Sequence, residues 1–165
     1  MEQTQKQRRP RHWGSRIFIF AVLALLVFGI VMLARTISLQ LTWRDFELSF
    51  AACVYDVGAE DGYLKATSET ETVRVDPANA TNIFKLIQTG RCTKSARARS
   101  PERPITLEFS DGGYAVLSLC SGRSHIDFTD PNGEHWQLYL GCDYSKLEWL
   151  LSVEGAAIEN APWTD

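Results

Sequence analysis

Eighteen consecutive residues, Ile17 to Ala34, carry no charge and no strong polar group, and this run constrains the chain more than anything else in it. As a helix rising ~1.5 Å per residue it is about 27 Å long, close to the thickness of a bilayer's hydrocarbon core. Arg16 and Arg35 bracket it, and Trp13 stands where an interfacial aromatic would stand. Residues 1–16 hold Lys6, Arg8, Arg9, Arg11 and Arg16 against Glu2 alone, a balance of +4, whereas residues 35–165 hold 12 basic against 19 acidic residues. Positive charge on the N-terminal flank keeps that flank in the cytoplasm and sends the remainder across. The chain therefore reads as a single-pass plasma-membrane protein: a basic cytoplasmic tail (1–16), a transmembrane helix (17–34), and an extracytoplasmic C-terminal portion.

A cleaved signal peptide fits less well. Its apolar stretch runs ~7–15 residues and ends on small residues, whereas a cut after Ala34 would place Met32 at the −3 position. Pro10-Arg11 after Arg8-Arg9 is the wrong context for a twin-arginine signal. Phe50-Ala51-Ala52-Cys53 resembles a lipoprotein box, but Arg44, Asp45 and Glu47 break the apolar run such a box needs.

Beyond Arg35, Thr36 to Trp43 alternate polar and apolar, which predicts an extended juxtamembrane segment over 35–44. Residues 45–57 continue in that style, with Phe46, Leu48 and Phe50 on one face. A turn at 58–62 precedes two weaker strands near 63–68 and 71–75. Asp76 and Pro77 open a helix whose apolar face is Ala80, Ile83, Phe84 and Ile87, and Gly90 ends it. A polar loop spans Arg91 to Pro104.

Four strands follow. Ile105, Leu107 and Phe109 alternate, as do Ala115, Leu117 and Leu119, joined by Asp111-Gly112-Gly113; placing Leu107 opposite Leu117 leaves a three-residue loop ending in Gly113. Ser121-Gly122 sets Leu117 opposite Ile126. Pro131-Asn132-Gly133 sets Phe128 opposite Trp136 and Ile126 opposite Leu138. All three turns and all four apolar sets agree on one face, so the register is well specified. Asp143 caps a last helix facing the sheet through Leu147, Leu150 and Leu151, and 154–165 is a polar tail. The expected fold is α+β: one transmembrane helix, then an antiparallel sheet with two helices on one face, in a domain over 45–153. The strands-then-helix order recurs at 45–89 and 105–152, so an internal duplication is a weak alternative. No motif carries a family signature.

Chemistry-bearing residues are few. In the derived register His125 pairs with Tyr139, Asp127 with Gln137 and Thr129 with His135, all on the face away from the core. His135 lies diagonal to Asp127, close enough to orient a base, but no nucleophile motif accompanies them. His125 and His135 stand two pair-steps apart, ~14 Å, too far to share a zinc ion. Nothing calls for a metal or a cofactor. Cys53, Cys92, Cys120 and Cys142 are an even set in an exported domain, and Cys120 with Cys142 is the candidate disulfide if the chain bends at Gly141. Asn79-Ala80-Thr81 is a sequon by pattern only, inside a predicted helix.

The loop 91–103 is basic, with Arg91, Lys94, Arg97, Arg99 and Arg103 against Glu102 alone. It is the candidate anion- or partner-binding element, suited to an anionic cell-envelope polymer, lipid head groups or a membrane-protein partner. Without aromatic residues it has no nucleic-acid signature. The reading that follows is a membrane-anchored extracytoplasmic binding or regulatory module without catalysis. The alternatives are a small exported hydrolase using Asp127 with His135 or His125, and an accessory subunit of a membrane complex. Gly29 and the scattered Ala21, Ala24 and Ala34 make no small-xxx-small helix-packing motif for the last.

Overall fold

The structure, a computed structural model, describes residues 13–152. The basic tail expected at 1–16 falls outside them up to residue 12, and the tail expected at 154–165 falls outside them entirely. The chain divides into two units at Ser38/Leu39.

The first unit is helical. Helix α1 (Trp13–Val57) contains a window of 18 residues with mean hydropathy 3.1, none of it buried. Its apolar side chains are exposed all round, Phe18, Phe20 and Leu25 each by at least 70%. A helix apolar on every side suits lipid rather than water. It is long and apolar enough to cross a membrane.

The second unit, from Leu39, is an antiparallel sheet backed by helices. After the end of α1 come β1 (Leu64–Thr67), β2 (Thr72–Val75), α2 (Pro77–Gly90), β3 (Cys92–Ser95), β4 (Glu102–Phe109), β5 (Tyr114–Cys120), β6 (Arg123–Thr129), β7 (His135–Leu140) and α3 (Tyr144–Leu150). The strands lie in the order β2-β1-β4-β5-β6-β7-β3, and every neighbouring pair is antiparallel. This is the α+β layout expected. The halves 45–89 and 105–152 are not alike, since only the second is a strand meander, and they give no sign of a duplication.

Two expectations fail in the first half. Residues 35–57 are helical, not extended. Phe46, Phe50, Cys53 and Val57 are each at most 1% exposed while Leu48 is 62% exposed, so burial recurs every three or four residues rather than every two. Continuing a helix adds one hydrogen bond per residue without a new nucleus, so the alternation from Thr36 to Trp43 has nothing to compete with. In addition, residues 92–95 of the expected loop form strand β3, at the edge beside β7 and with a bulge between Cys92 and Lys94.

The meander holds the core. Leu117 faces Ile126, Ile126 faces Leu138, and Phe128 faces Trp136, as the turns require. Ser121 and Gly122 both take positive φ (52° and 74°), the backbone a two-residue hairpin needs. The β4–β5 register is two residues off the expected one, with Ile105 opposite Leu117 and Leu107 opposite Ala115. The physical reason is the turn: Gly112 takes the positive φ (95°), while the Phe109 N–H bonds the Gly113 carbonyl. A slip of two keeps every side chain on its face. α2 is capped by Asp76 at the Ala78 N–H and α3 by Asp143 at the Ser145 N–H, both as expected. Residues of α1, α2 and α3 join the inner face of the sheet in one core, centred on Phe46, Phe50, Phe109, Phe128 and Trp136.

Candidate functional site

The polar chemistry lies on the outer face of the sheet, opposite the helices. β3 occupies one edge, yet the chain next enters β4, four strand spacings away across β7, β6 and β5. At ~4.8 Å per spacing, and allowing for the two-residue offset between the levels of Ser95 and Glu102, the gap is about 20 Å. The seven steps from Ser95 to Glu102 reach about 23 Å fully extended. Residues 96–101 therefore cross the outer face as a strap, bending at Arg99 and Ser100 rather than running as one extended segment. Three outer-face side chains are accordingly buried: Ser118 is 2% exposed, Cys120 0% and His125 1%.

Ala96 fixes the start of the strap. Its N–H bonds the Gln137 carbonyl, extending the β3–β7 ladder by one residue. Its carbonyl accepts from His125 Nε2 at 2.9 Å, and the His125 ring meets the Tyr139 ring edge-on, centroids 4.9 Å apart. A carbonyl only accepts, so Nε2 carries the proton. The outer-face position of His125 is as expected, but the open polar surface expected around it is not what the structure has, because the strap covers the ring.

Arg103 fixes the far end. Its guanidinium pairs with Glu148 at 2.7 Å and lies 5.3 Å from the Tyr144 ring, while its carbonyl accepts from the Tyr144 hydroxyl. Burial pushes the Tyr144 phenol up, with Glu148 adding to it, so it remains a donor. Ser100 and Arg103 both take positive φ (50° and 47°), as does Arg91 (46°) before β3. Left-handed backbone costs a side-chain-bearing residue about 1–2 kcal/mol.

Along the strap the pattern is simple. Ala96 and Ala98 are half-buried, and Arg97 and Arg99 are exposed. Of the five basic residues expected to act together, Arg97 and Arg99 are both exposed on the crossing segment, with no ion pair to either among the described residues. Arg91 is exposed at the end of α2, Lys94 stands at Tyr139's register on β3, and Arg103 is occupied with α3. Sequence reasoning missed exposed Arg123, two residues before His125 on the same face.

His135 and Asp127 do meet: Nε2 lies 3.5 Å from Oδ1, the Asp127 Oδ2 accepts from Gln137 Nε2 at 2.8 Å, and Thr129 Oγ1 lies 3.0 Å from His135 Nδ1. Both side chains are well exposed (49% and 38%), on an uncovered part of the sheet. Grooves lie elsewhere, one between α1 and α2 beside Tyr55 and Pro77, another between the β1–β2 turn and α3. Water therefore screens this cluster.

None of the four cysteines is joined in a disulfide. Cys120 lies on the outer face with its Sγ 3.4 Å from Ser118 Oγ, while Cys142 packs against the inner core. Burial pushes the Cys142 thiol up to about 11, partly offset by its hydrogen bond with Ser124. Among the described residues no group of three or more His, Cys, Asp or Glu side chains is placed to hold a metal ion.

No family model, no curated protein and no solved structure matches the chain.

Proposed function

We propose that the chain is a membrane-anchored module whose C-terminal domain lies outside the cytoplasm and binds an anionic, phosphate-rich polymer without catalysis. The observation that carries this reading is that Arg97 and Arg99 are both exposed, with no ion pair among the described residues, on a crossing segment held at Ala96 and at Arg103. Guanidinium groups match phosphate oxygens two at a time, and a held backbone lowers the ordering cost of engaging them. Anchoring rests on the apolar helix and on the +4 tail before it. The exposure of His135 and Asp127 speaks against the hydrolase, because a general base in open water gains little from its carboxylate partner.

Protease added to intact cells is expected to remove the C-terminal domain and leave residues 1–16 protected. Digestion of the tail with the domain intact would reverse the orientation, and a mature N-terminus at 35–39 would mean a cleaved signal. Full-length protein in neutral-lipid nanodiscs should bind a linear phosphate polymer at low salt. It should release it at 1 M salt, where the Debye length falls to ~3 Å. Arg97→Gln with Arg99→Gln should abolish binding without lowering Tm, since exposed charges contribute little to folding. Equal binding by this variant and the parent would refute the site.

A further inference from the structure

Beyond the membrane-length apolar run, α1 still exposes large apolar side chains. Leu41 (54%), Leu48 (62%) and Tyr55 (84%) follow one another at intervals of seven residues along it. Seven residues make two turns of a helix wound at about 3.5 per turn, the repeat by which one helix keeps a seam against another. All three lie beyond Ser38, in the unit that holds the sheet. Their face of the helix is turned away from Phe46, Phe50 and Cys53, which enter the core. Lipid is a poor cover for that face, because exposed Arg44, Asp45 and Asp56 interrupt the apolar row.

Two further observations show what fits it. In a coiled coil the hole offered to a knob at position 55 is formed by Ala51, Val54, Tyr55 and Gly58 of the facing helix. These same four residues line the groove beside α2, whose Pro77 and Thr81 supply the far wall. The tyrosine and the hollow that takes it are therefore both present on one chain. Arg44 and Asp45, for their part, stand exposed between Leu41 and Leu48, and neither forms an ion pair among the described residues. Where two identical helices run parallel, like-numbered residues stand level, so Arg44 of each copy meets Asp45 of the other. A surface that complements itself in shape and in charge is matched by its own copy about a two-fold axis.

We propose that the chain forms a parallel two-fold dimer through residues 41–58, with Tyr55 of each copy seated in the groove of the other. The parallel sense rests on the membrane anchoring proposed above, since two chains held in one bilayer by the same end present α1 in the same direction. Anion binding plays no part in it. Sharing a bilayer also raises the effective concentration at which the copies meet, so a seam of few layers suffices. A charged residue within the seam costs some affinity and fixes the register, because sliding one helix along the other separates Arg44 from Asp45.

The test is Förster transfer between donor- and acceptor-labelled copies of the full-length chain, reconstituted together in neutral-lipid vesicles and diluted with lipid. The parent is expected to show transfer that falls on dilution along a monomer–dimer curve. Leu48→Glu should weaken self-association about a hundredfold, because each dimer loses two buried leucines, and Tyr55→Ala about tenfold. Arg44→Asp and Asp45→Arg should each weaken it alone, and the two together should restore it. Near-ultraviolet circular dichroism checks that each variant keeps the parent fold, and the charge exchange, confined to exposed side chains, decides the matter if Leu48→Glu does not. Absence of transfer in the parent, or transfer unchanged by both Leu48→Glu and Tyr55→Ala, would overturn the dimer. Failure of the double exchange to restore association would overturn the parallel register. A mature N-terminus at 35–39 would overturn the anchoring and the parallel sense with it, while light scattering on that shorter chain still decides the seam.

Discussion

The ring of Phe128 lies nearly parallel to that of Trp136, 18° apart with centroids at 5.6 Å, and receives the rings of Phe46 and Phe50 against its other contacts at 5.8 and 5.2 Å. Two strands of the meander and the C-terminal half of α1 thus meet on one side chain.

Phe128→Ala should therefore destabilise the protein by about 3–5 kcal/mol, because it removes a fully buried ring and leaves a cavity among neighbours that cannot all collapse. Denaturant unfolding of the detergent-solubilised chain, followed by near-ultraviolet circular dichroism, measures it. A loss below about 1 kcal/mol would mean that this aromatic cluster is not the centre of the core.

A methyl group at Gly113 would sit 2.8 Å from the Cys53 sulfur. Gly113→Ala should cost about 1–3 kcal/mol through overpacking. Cys53→Ala removes the obstructing atom, so the double variant should be more stable than the sum of the two single losses predicts. Strict additivity in that cycle would show that α1 does not press on the β4–β5 turn.

The Cys142 thiol ionises near 11 in the folded protein against an ordinary value of 9.0. The folded state then holds its proton more tightly than the unfolded chain does, so this contribution is complete below pH 9 and is lost as pH rises from 9 to 11. The stability difference between the parent and Cys142→Ala should shrink by roughly 1–2 kcal/mol over that interval, measured by urea unfolding at successive pH values. A constant difference would show that the thiol is not shielded by the core.

How far the fold could be read in advance depended on whether several local signals agreed. From β5 to β7 they did: Ser121-Gly122, Pro131-Asn132-Gly133 and the apolar sets around Leu117, Ile126, Phe128 and Trp136 admit one register. At the β4–β5 turn two registers keep the same faces, and the choice falls to which of Gly112 and Gly113 takes the positive φ, which composition does not reveal. Phe46, Leu48 and Phe50 satisfy a strand period over five residues, and only Cys53, Val54 and Val57 expose the helical one. The basic residues of 91–103 were legible as a cluster. Their arrangement was not, because β3 pairs with β7 far along the chain and the burial of His125 follows from that pairing.

The width of the sheet between β3 and β4, five strands inclusive, sets a lower bound on the length of the connection laid over it. A shortened segment 96–101 would first have to straighten its bends at Arg99 and Ser100, and only then pull on β3 or β4. An added residue would leave the sheet intact and let the crossing bow away from it.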